Sequence, residues 1–279
     1  MILVTGAGRV GRHVVSRLHE GGARVRVLVR NPSLAEVPRG VEVVAGDLSD
    51  ADGLAPYLDG VEAVFLIWPQ PTATGPLAAV EVIARHVGRV AYLSSSTVRE
   101  DLEVQSHPMT AIHADVEHAI ERSGVDWTFL RVGKIATNTL FWSAQIAEGV
   151  VRLPFPDAGR SPIVESDIGE VAARTLLDEG HVGAKHILSG PERLTEGDLV
   201  RIIGVAIGRP IRVERIGPEV ARAEMIRGGE TPEVADAALA LWERLVAEPE
   251  PVTPTVEEIT GAPGRMFRDW AVEHASAFD

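Results

Sequence analysis

The chain of 279 residues contains no cysteine. This absence excludes disulfides, thiolate-bound metal sites and cysteine nucleophiles, and it is typical of proteins of a reducing compartment. Lysine and tyrosine are also scarce, with only two of each, at Lys134, Lys185, Tyr57 and Tyr92. A catalytic pair that needs both residue types therefore has few positions available.

Long hydrophobic runs are missing as well, and no stretch approaches the roughly 18 apolar residues of a membrane span. The first residues, MILVTGAG, lead directly into a strand-like pattern without a basic leader, so we expect a cytoplasmic protein. The formal net charge of −13 disfavours nucleic acid and anionic membranes as partners. A small-molecule partner is the remaining expectation.

Apolar runs alternate with helical patterns through the first half of the chain. The expected strands are ILVT, RVRVLVR, VEVVAGD, AVFLIWP, VAYLSSS and WTFLRVG, and the segments between them, including LSDADGLAPYLDG, have helical periodicity. This order predicts an α/β, doubly wound parallel sheet of the Rossmann type. We expect a dinucleotide-binding domain over residues 1–180, with 134–160 contributing to a cleft, and a smaller substrate lobe over 181–279.

A glycine-rich turn follows the first predicted strand. In TGAGRVGR, Gly6, Gly8 and Gly11 form GxGxxG, with Arg9 and Val10 between the last two glycines. The first glycine permits a tight turn, the second lets the backbone approach a pyrophosphate, and the third lets the helix pack on the strand. Free N–H groups at the helix start would bind the phosphates. These five residues are the predicted cofactor loop.

The end of the second strand indicates which dinucleotide binds. Arg30 stands where NAD-binding proteins usually place an acidic residue, and an arginine suits the 2′-phosphate of NADP. Arg9 is a second candidate for that phosphate. Asp47 and Leu48, after the third strand, are expected beside the adenine ring, although Asp47 would also cap a following helix. NADP(H) is therefore favoured over NAD(H).

With TGAGRVGRHVV, VLVRNP, GDLSD, YLSSS and SGVDWTFLRVG taken together, the chain resembles the NmrA-like, atypical branch of the short-chain dehydrogenase/reductases. The resemblance implies a Rossmann-type fold, NADP(H) and often reductase activity, although some relatives only sense the cofactor. The family commonly has TGATGxxG, and this loop is one residue shorter.

Typical short-chain dehydrogenases use a Tyr-x-x-x-Lys pair, in which the lysine lowers the pKa of the tyrosine that transfers the proton. Neither tyrosine here is followed by lysine at that spacing. By resemblance, Met109 stands at the tyrosine position, beside the substrate, and His113 at the lysine position. His113 is a candidate cofactor contact and proton donor; the alternative is a helix-surface histidine beside Glu117.

Further candidates follow from the strand ends, because parallel sheets bind ligands at their carboxyl edge. Ser94 is a candidate cofactor contact, and Ser96 is the preferred catalytic serine. Trp68 and Pro69 are expected to border the nicotinamide. The predicted wall of the substrate cleft contains Asn138 and Trp142. No HxxxH or HExxH occurs, so no metal site is expected.

A missing tyrosine would slow reduction of a plain ketone by roughly 10²–10⁴, because the alkoxide needs a nearby proton donor. Quinones, enones and iminium ions relax this need, so the leading hypothesis is an NADPH-dependent reductase of such an electron-poor molecule. The alternatives are an NADP(H)-sensing regulatory protein and a redox-neutral cyclase or isomerase. The Ala-rich segment PEVADAALALWERLVAE either packs internally or forms a homodimer face.

Overall fold

The computed structural model describes residues 1–68 and 75–278. Its strands are β1 Ile2–Val4, β2 Val25–Val29, β3 Glu42–Ala45, β4 Ala63–Leu66, β5 Arg89–Ser95, β6 Asp126–Val132, β7 Val150–Leu153, β8 Gly159–Arg160, β9 Ala184–Leu188, β10 Leu194–Thr195 and β11 Arg212–Arg215. Its α-helices are α1 Gly11–Glu20, α2 Pro76–His86, α3 Pro108–Ser123, α4 Ser143–Ala147, α5 Glu165–Leu177, α6 Glu196–Ala206, α7 Pro218–Arg227, α8 Pro232–Ala247, α9 Thr255–Thr260 and α10 Phe267–Glu273.

Seven parallel strands form the central sheet, in the order β3-β2-β1-β4-β5-β6-β9. The order reverses between β1 and β4, which creates the crevice where ligands bind in doubly wound sheets. The predicted fold class is therefore confirmed, and the six strands expected in the first half of the chain are all present.

Alternating side chains of the central strands divide the core into two layers. In β1, Ile2 and Val4 pack on the face covered by α1 and α5, whereas Leu3 packs on the opposite face, under α2 and α3. All three are nearly inaccessible to water. Each such aliphatic side chain contributes roughly 1.5–3 kcal/mol through burial, so the sheet centre is a rigid base for the loops at its edge.

The segment LSDADGLAPYLDG does not form the predicted helix. It forms two short 3₁₀ helices instead, Ala51–Gly53 and Ala55–Leu58. The Asp50 carboxylate accepts a hydrogen bond from the Gly53 amide at 3.3 Å, which stabilises a tight turn. Glycine and proline within a few residues of each other disfavour a continuous α-helix, so the two short turns replace it.

The smaller lobe packs around its own aromatic core and begins before the predicted boundary at residue 180, since it includes the 3₁₀ helix Ala136–Trp142, α4, β7 and β8 together with β10, β11, α6 and α10. β7 pairs with β11 and β8 with β10, and α6 packs against α10. Phe267, Trp270 and Phe278 are fully buried there. Thr195 begins α6 with a capping box, in which its hydroxyl and the Asp198 carboxylate satisfy each other's backbone amides.

The central sheet extends past the predicted domain boundary at residue 180. β9 pairs with β6 along its whole length, and α9 returns to pack on α5. The division of the chain at residue 180 stays a prediction, but residues on both sides of it build the sheet. In residues 1–68 and 75–278, no helix is both long and apolar enough to cross a bilayer.

Candidate functional site

The turn between β1 and α1 has the geometry that the glycine spacing predicts. Gly6 has a φ of +145°, which residues with a side chain rarely adopt. A Cβ on Gly11 would lie 2.0 Å from the Gly6 carbonyl oxygen, so only glycine fits between helix and strand. A Cβ on Gly8 would meet no atom within 4 Å, so the backbone there is open to a ligand.

Thr5 fastens this turn to the neighbouring strand. Its hydroxyl donates to the Ile67 carbonyl at 3.1 Å and accepts from the Ile67 amide at 2.8 Å. These bonds join the carboxyl ends of β1 and β4 at the point where the strand order reverses. Thr5 was not among the predicted site residues; its position directly before the glycines is the signal that could have identified it.

Arg9 and Val10 take different positions within the loop. Val10 precedes the first residue of α1 and is 8% exposed, so its side chain packs in the core. Only its backbone is therefore available to a ligand of the loop. The Arg9 guanidinium donates to the Thr137 carbonyl at 3.3 Å and lies 6.0 Å from the Phe141 ring. Arg9 therefore extends toward the smaller lobe.

The predicted adenosine side is built at the ends of β2 and β3. The Asp47 carboxylate accepts from the Ser49 amide at 2.9 Å and the Ser49 hydroxyl at 2.8 Å. These two bonds, with the positive charge of Arg30, hold the pKa of Asp47 below its usual value. Arg30 is exposed, whereas Leu48 is 5% exposed and packs in the core. The structure thus brings Arg30 and Asp47 together and turns Leu48 inward.

Two candidates lie at the end of β4. Trp68 is partly buried against the core layer under α2 and α3. Pro69 lies outside the described residues.

A cleft of about 920 Å³ opens beyond the ends of β5 and β6, between the sheet and the smaller lobe. Four of the predicted residues meet in its lining: Met109, His113, Asn138 and Trp142. The lining also includes the helices α7 and α8, which contribute Met225 and Trp242 among others. Most of the exposed cleft surface is apolar, although polar and charged side chains such as Asn138, Arg152 and Glu224 also line it. Apolar walls with placed polar groups are typical of sites for small organic molecules.

His113 makes a contact that the sequence analysis missed. Its Nδ1 lies 2.7 Å from the hydroxyl oxygen of Tyr92, on β5. Tyr92 is completely buried, and burial raises the pKa of its hydroxyl. Burial also lowers the pKa of His113 to about 4, although the charge of Glu117 opposes the shift. Both side chains are therefore neutral at neutral pH.

The serines at the end of β5 divide according to strand alternation. Ser94 is 1% exposed and donates to the Glu117 carboxylate at 2.5 Å, so it faces α3. Ser95 lines the cleft, with its hydroxyl 2.7 Å from that of Thr97. Ser96 is not among the residues that line the cleft in the described part of the chain. The structure therefore brings Ser95 to the cleft rather than Ser94 or Ser96.

Glu117 is one centre of buried charge behind the cleft. Arg131 donates to its two carboxylate oxygens at 3.0 and 2.6 Å, and both side chains are under a tenth exposed. The carboxylate is thus already bound by Arg131 and Ser94. His113 does lie beside Glu117, as the alternative interpretation has it, but its ring is partly buried and its Nδ1 is within hydrogen-bond distance of Tyr92 rather than of that carboxylate.

A second buried network lies in the floor of the cleft. Lys134 Nζ lies 3.0 Å from the Glu196 carboxylate and 4.8 Å from the centre of the Trp142 ring. Arg160 contacts Glu196 at 2.7 Å and Glu250 at 2.8 Å. Desolvation lowers the pKa of Lys134 despite these carboxylates. The charged residues Lys134, Arg160, Glu196 and Glu250 are far apart in sequence, so no local pattern predicted the network.

A model of the NmrA-like family matches residues 1–261. A (4-alkanoyl-5-oxo-2,5-dihydrofuran-3-yl)methyl phosphate reductase from Streptomyces griseus is 40% identical over 100% of this chain and 99% of its own length. An NAD(P)H azoreductase from Xenophilus azovorans is 31% identical, over 100% of this chain and 99% of its own length.

Solved structures share the fold. An NADPH-dependent quinone oxidoreductase from Escherichia coli, complexed with NADPH, superposes with a TM-score of 0.80 at 21% identity, over 98% of this chain and 99% of the other. The triphenylmethane reductase of a Citrobacter species, complexed with NADP(H), superposes with a TM-score of 0.79 at 21% identity, over 99% of this chain and 100% of the other. The resemblance predicted from the motifs is confirmed, and the chain belongs to the NmrA-like family.

Proposed function

We propose that this protein is an NADP(H)-dependent reductase of a small, electron-poor organic molecule such as an enone, quinone or imine. The names of its relatives support the reductase class, since they include reductases of a dihydrofuranone phosphate and of azo compounds. The neighbouring quinone oxidoreductase and triphenylmethane reductase, which are named for other conjugated substrates, support the same class through the shared fold.

The observation that carries this proposal is the placement of the glycine turn and the cleft on one edge of the sheet. The turn follows β1 and the cleft begins at β5, with only β4 between them. Adjacent strands lie about 4.8 Å apart, so roughly 10 Å separates the two sites. A dinucleotide gripped by its pyrophosphate at the turn can reach the cleft with its nicotinamide end.

The residues present fit such a cofactor. The open backbone at Gly8 and the first turn of α1 would bind the pyrophosphate, and Arg30 would bind the 2′-phosphate. NADPH supplies a hydride when it is bound. Arg9, which reaches the Thr137 carbonyl, would close the loop over the pyrophosphate from the side of the smaller lobe.

The cleft suits a substrate that spreads negative charge over a conjugated system. No tyrosine–lysine pair is present, and the lysine in the cleft floor, Lys134, is held by Glu196. At the sheet end of the cleft, the polar groups that could meet the substrate include Ser95, His113 and Asn138, and His113 is uncharged at neutral pH. Met109 and Trp142 would pack on the planar apolar part of the substrate.

Cofactor choice is tested first, by calorimetric titration with NADPH and NADH. Arg30→Ala should weaken NADPH binding about tenfold or more, since a charged hydrogen bond is worth roughly 1.5–3 kcal/mol, and should leave NADH binding unchanged. Arg24→Ala, at the other end of β2 and also exposed, is the matched control and should bind both cofactors as the wild type does. Equal affinity of the wild type for the two cofactors would contradict the role of Arg30.

Turnover is tested with a panel of acceptors and NADPH oxidation as the readout. An alkanoyl dihydrofuranone, a substituted quinone and an azo dye should be reduced, whereas cyclohexanone, a plain ketone, should not. Tight NADPH binding with no oxidation by any acceptor would reject the reductase and favour the NADP(H)-sensing alternative.

A further inference from the structure

We propose that Tyr92 is a positioning residue that holds His113 in one tautomer, with the proton on Nε2, so that a neutral N–H donor faces the cleft. The contact itself is the first observation: the Tyr92 hydroxyl lies 2.7 Å from His113 Nδ1. His113 lines the cleft, and its Nε2 has no hydrogen-bond partner within residues 1–68 and 75–278. Nε2 is therefore the ring nitrogen left to meet a ligand.

The direction of the hydrogen bond follows from the proton count. Tyr92 is 0% exposed, and in the described part of the chain its hydroxyl has one hydrogen-bond partner, His113. If Nδ1 carried the proton, the tyrosine proton would point into the core without an acceptor. An unpaired buried donor of this kind is disfavoured by about tenfold or more. Tyr92 therefore donates, Nδ1 accepts, and a neutral ring must carry its proton on Nε2.

The surroundings keep the ring neutral. On its own helix, His113 faces Glu117, whose carboxylate is neutralised by Arg131 on β6 and bonded by Ser94 on β5. Desolvation outweighs the attraction of that carboxylate, and the pKa of His113 is about 4. At neutral pH the imidazole is therefore uncharged, so it donates a hydrogen bond into the cleft but is not an imidazolium acid.

Such a donor has a defined use if the proposed function holds, on which this step rests. When a hydride adds to the electron-poor carbon of an enone, the electron pair of the double bond moves to the conjugated oxygen. The Nε2–H of His113 would donate to that oxygen and stabilise the enolate without giving up its proton. A proton from water then reaches the α-carbon, which completes the reduction. Preorganised donors of this type raise rates by about 10²–10³.

The tautomer is tested without turnover, by ¹⁵N NMR of labelled protein at neutral pH. The two imidazole nitrogens of His113, assigned with His113→Gln, should show Nδ1 unprotonated and Nε2 protonated. In Tyr92→Phe the single-tautomer pattern should be lost. The control is Tyr57→Phe, which removes the hydroxyl of the other tyrosine, bonded to the Ala45 carbonyl at 2.7 Å, and should leave the pattern intact. A proton on Nδ1 in the wild type would overturn the assignment.

Kinetics then test the role of the N–H donor. Tyr92→Phe should lower kcat about tenfold with an unchanged Kd for NADPH. His113→Leu should lower kcat by about 10² or more, and His113→Gln, whose amide keeps an N–H donor, should recover part of this loss. Equal kcat in His113→Leu and the wild type would reject the donor role.

The two failures are distinguishable. If no acceptor is reduced but NMR finds the proton on Nε2, the proposed function fails and the tautomer assignment stands. If acceptors are reduced but the proton lies on Nδ1, the reductase stands and Tyr92 has no positioning role. Should Tyr92→Phe not fold, the NMR spectrum of the wild type decides the assignment.

Discussion

Two glycines in the same turn should respond in opposite ways to the same added methyl group. A Cβ at Gly11 would lie 2.0 Å from a backbone oxygen, whereas a Cβ at Gly8 would contact nothing within 4 Å. Gly8 also lacks a positive φ, so alanine is compatible with its backbone. Gly8→Ala should therefore disturb only ligand binding, and Gly11→Ala should disturb the fold.

The magnitudes follow from the contacts. The closest regular Cα–H···O contacts are about 3.3–3.6 Å, so at Gly11 either the strand or the helix must move. Overpacking costs about 1–3 kcal/mol, and the upper end applies because the opposing atom is backbone. At roughly 2–4 °C per kcal/mol, Gly11→Ala should lower the Tm by about 6–12 °C. Gly8→Ala should leave the Tm unchanged or raise it slightly, since alanine restricts the unfolded chain.

Binding gives the complementary result. Loss of one charged hydrogen bond from the turn to a phosphate, worth roughly 1.5–3 kcal/mol, should raise the Kd of Gly8→Ala for NADPH by about 10- to 150-fold. Thermal melts with and without NADPH, together with calorimetry, measure both quantities. Gly217→Ala is the control, because that site is also open and has a φ of −67°. Unchanged NADPH affinity in Gly8→Ala would refute the assignment of the turn as the pyrophosphate site.

Other predictions concern the buried charges and the cleft. Glu117→Gln should lower the stability by about 3 kcal/mol, because it leaves a buried guanidinium without its main partner. Glu121→Gln, which alters a partly exposed ion pair with Lys185, should change the stability by under about 1 kcal/mol. The pKa of His113 is about 4 in the fold and 6.5 in the unfolded chain, so the unfolded state binds the proton first. The free energy of unfolding should therefore fall by on the order of 3 kcal/mol as the pH falls from 6.5 to 4, as measured by urea titrations. His113→Gln should lack this pH-dependent loss, and equal pH dependence of stability in the two proteins would contradict the shifted pKa. Trp142→Ala should raise the KM of the acceptor about tenfold, because it removes part of the apolar cleft wall, and it should leave NADPH affinity unchanged. An equal loss of NADPH affinity would contradict a substrate contact and indicate that Trp142 contacts the cofactor.

The fold was predictable because its signals are local. Each buried strand is a short apolar run, and the six residues of GxGxxG specify the β1–α1 turn. The same locality explains the error at LSDADGLAPYLDG, where apolar spacing indicated a helix. Gly53 and Pro56 disfavour an α-helix there, and two 3₁₀ helices form instead.

The cleft was predictable only in part. Met109, Asn138 and Trp142 line the cleft at the carboxyl edge of the sheet, and that edge follows from the topology; their contact with a substrate stays a prediction. The choice between Ser95 and Ser96 depended on strand register, and a shift of one residue turns a side chain to the other face. The role of Tyr92 was not predictable from a Tyr-x-x-x-Lys spacing, because its partner in space, His113, lies on the next helix rather than four residues later along the chain.

The division between predictable and unpredictable parts has a physical origin in how each end of the site is built. The cofactor end consists of backbone geometry within one turn, so few substitutions preserve it and its sequence stays recognisable. The proposed substrate end is lined by α7 and α8, which bury few of their side chains. In the described part of the chain these are Ala221 on α7 and Ala235, Leu239 and Leu245 on α8. Because little burial depends on that wall, its residues can change without unfolding the sheet. Substitutions in this wall are therefore the tests most sensitive to the identity of the substrate.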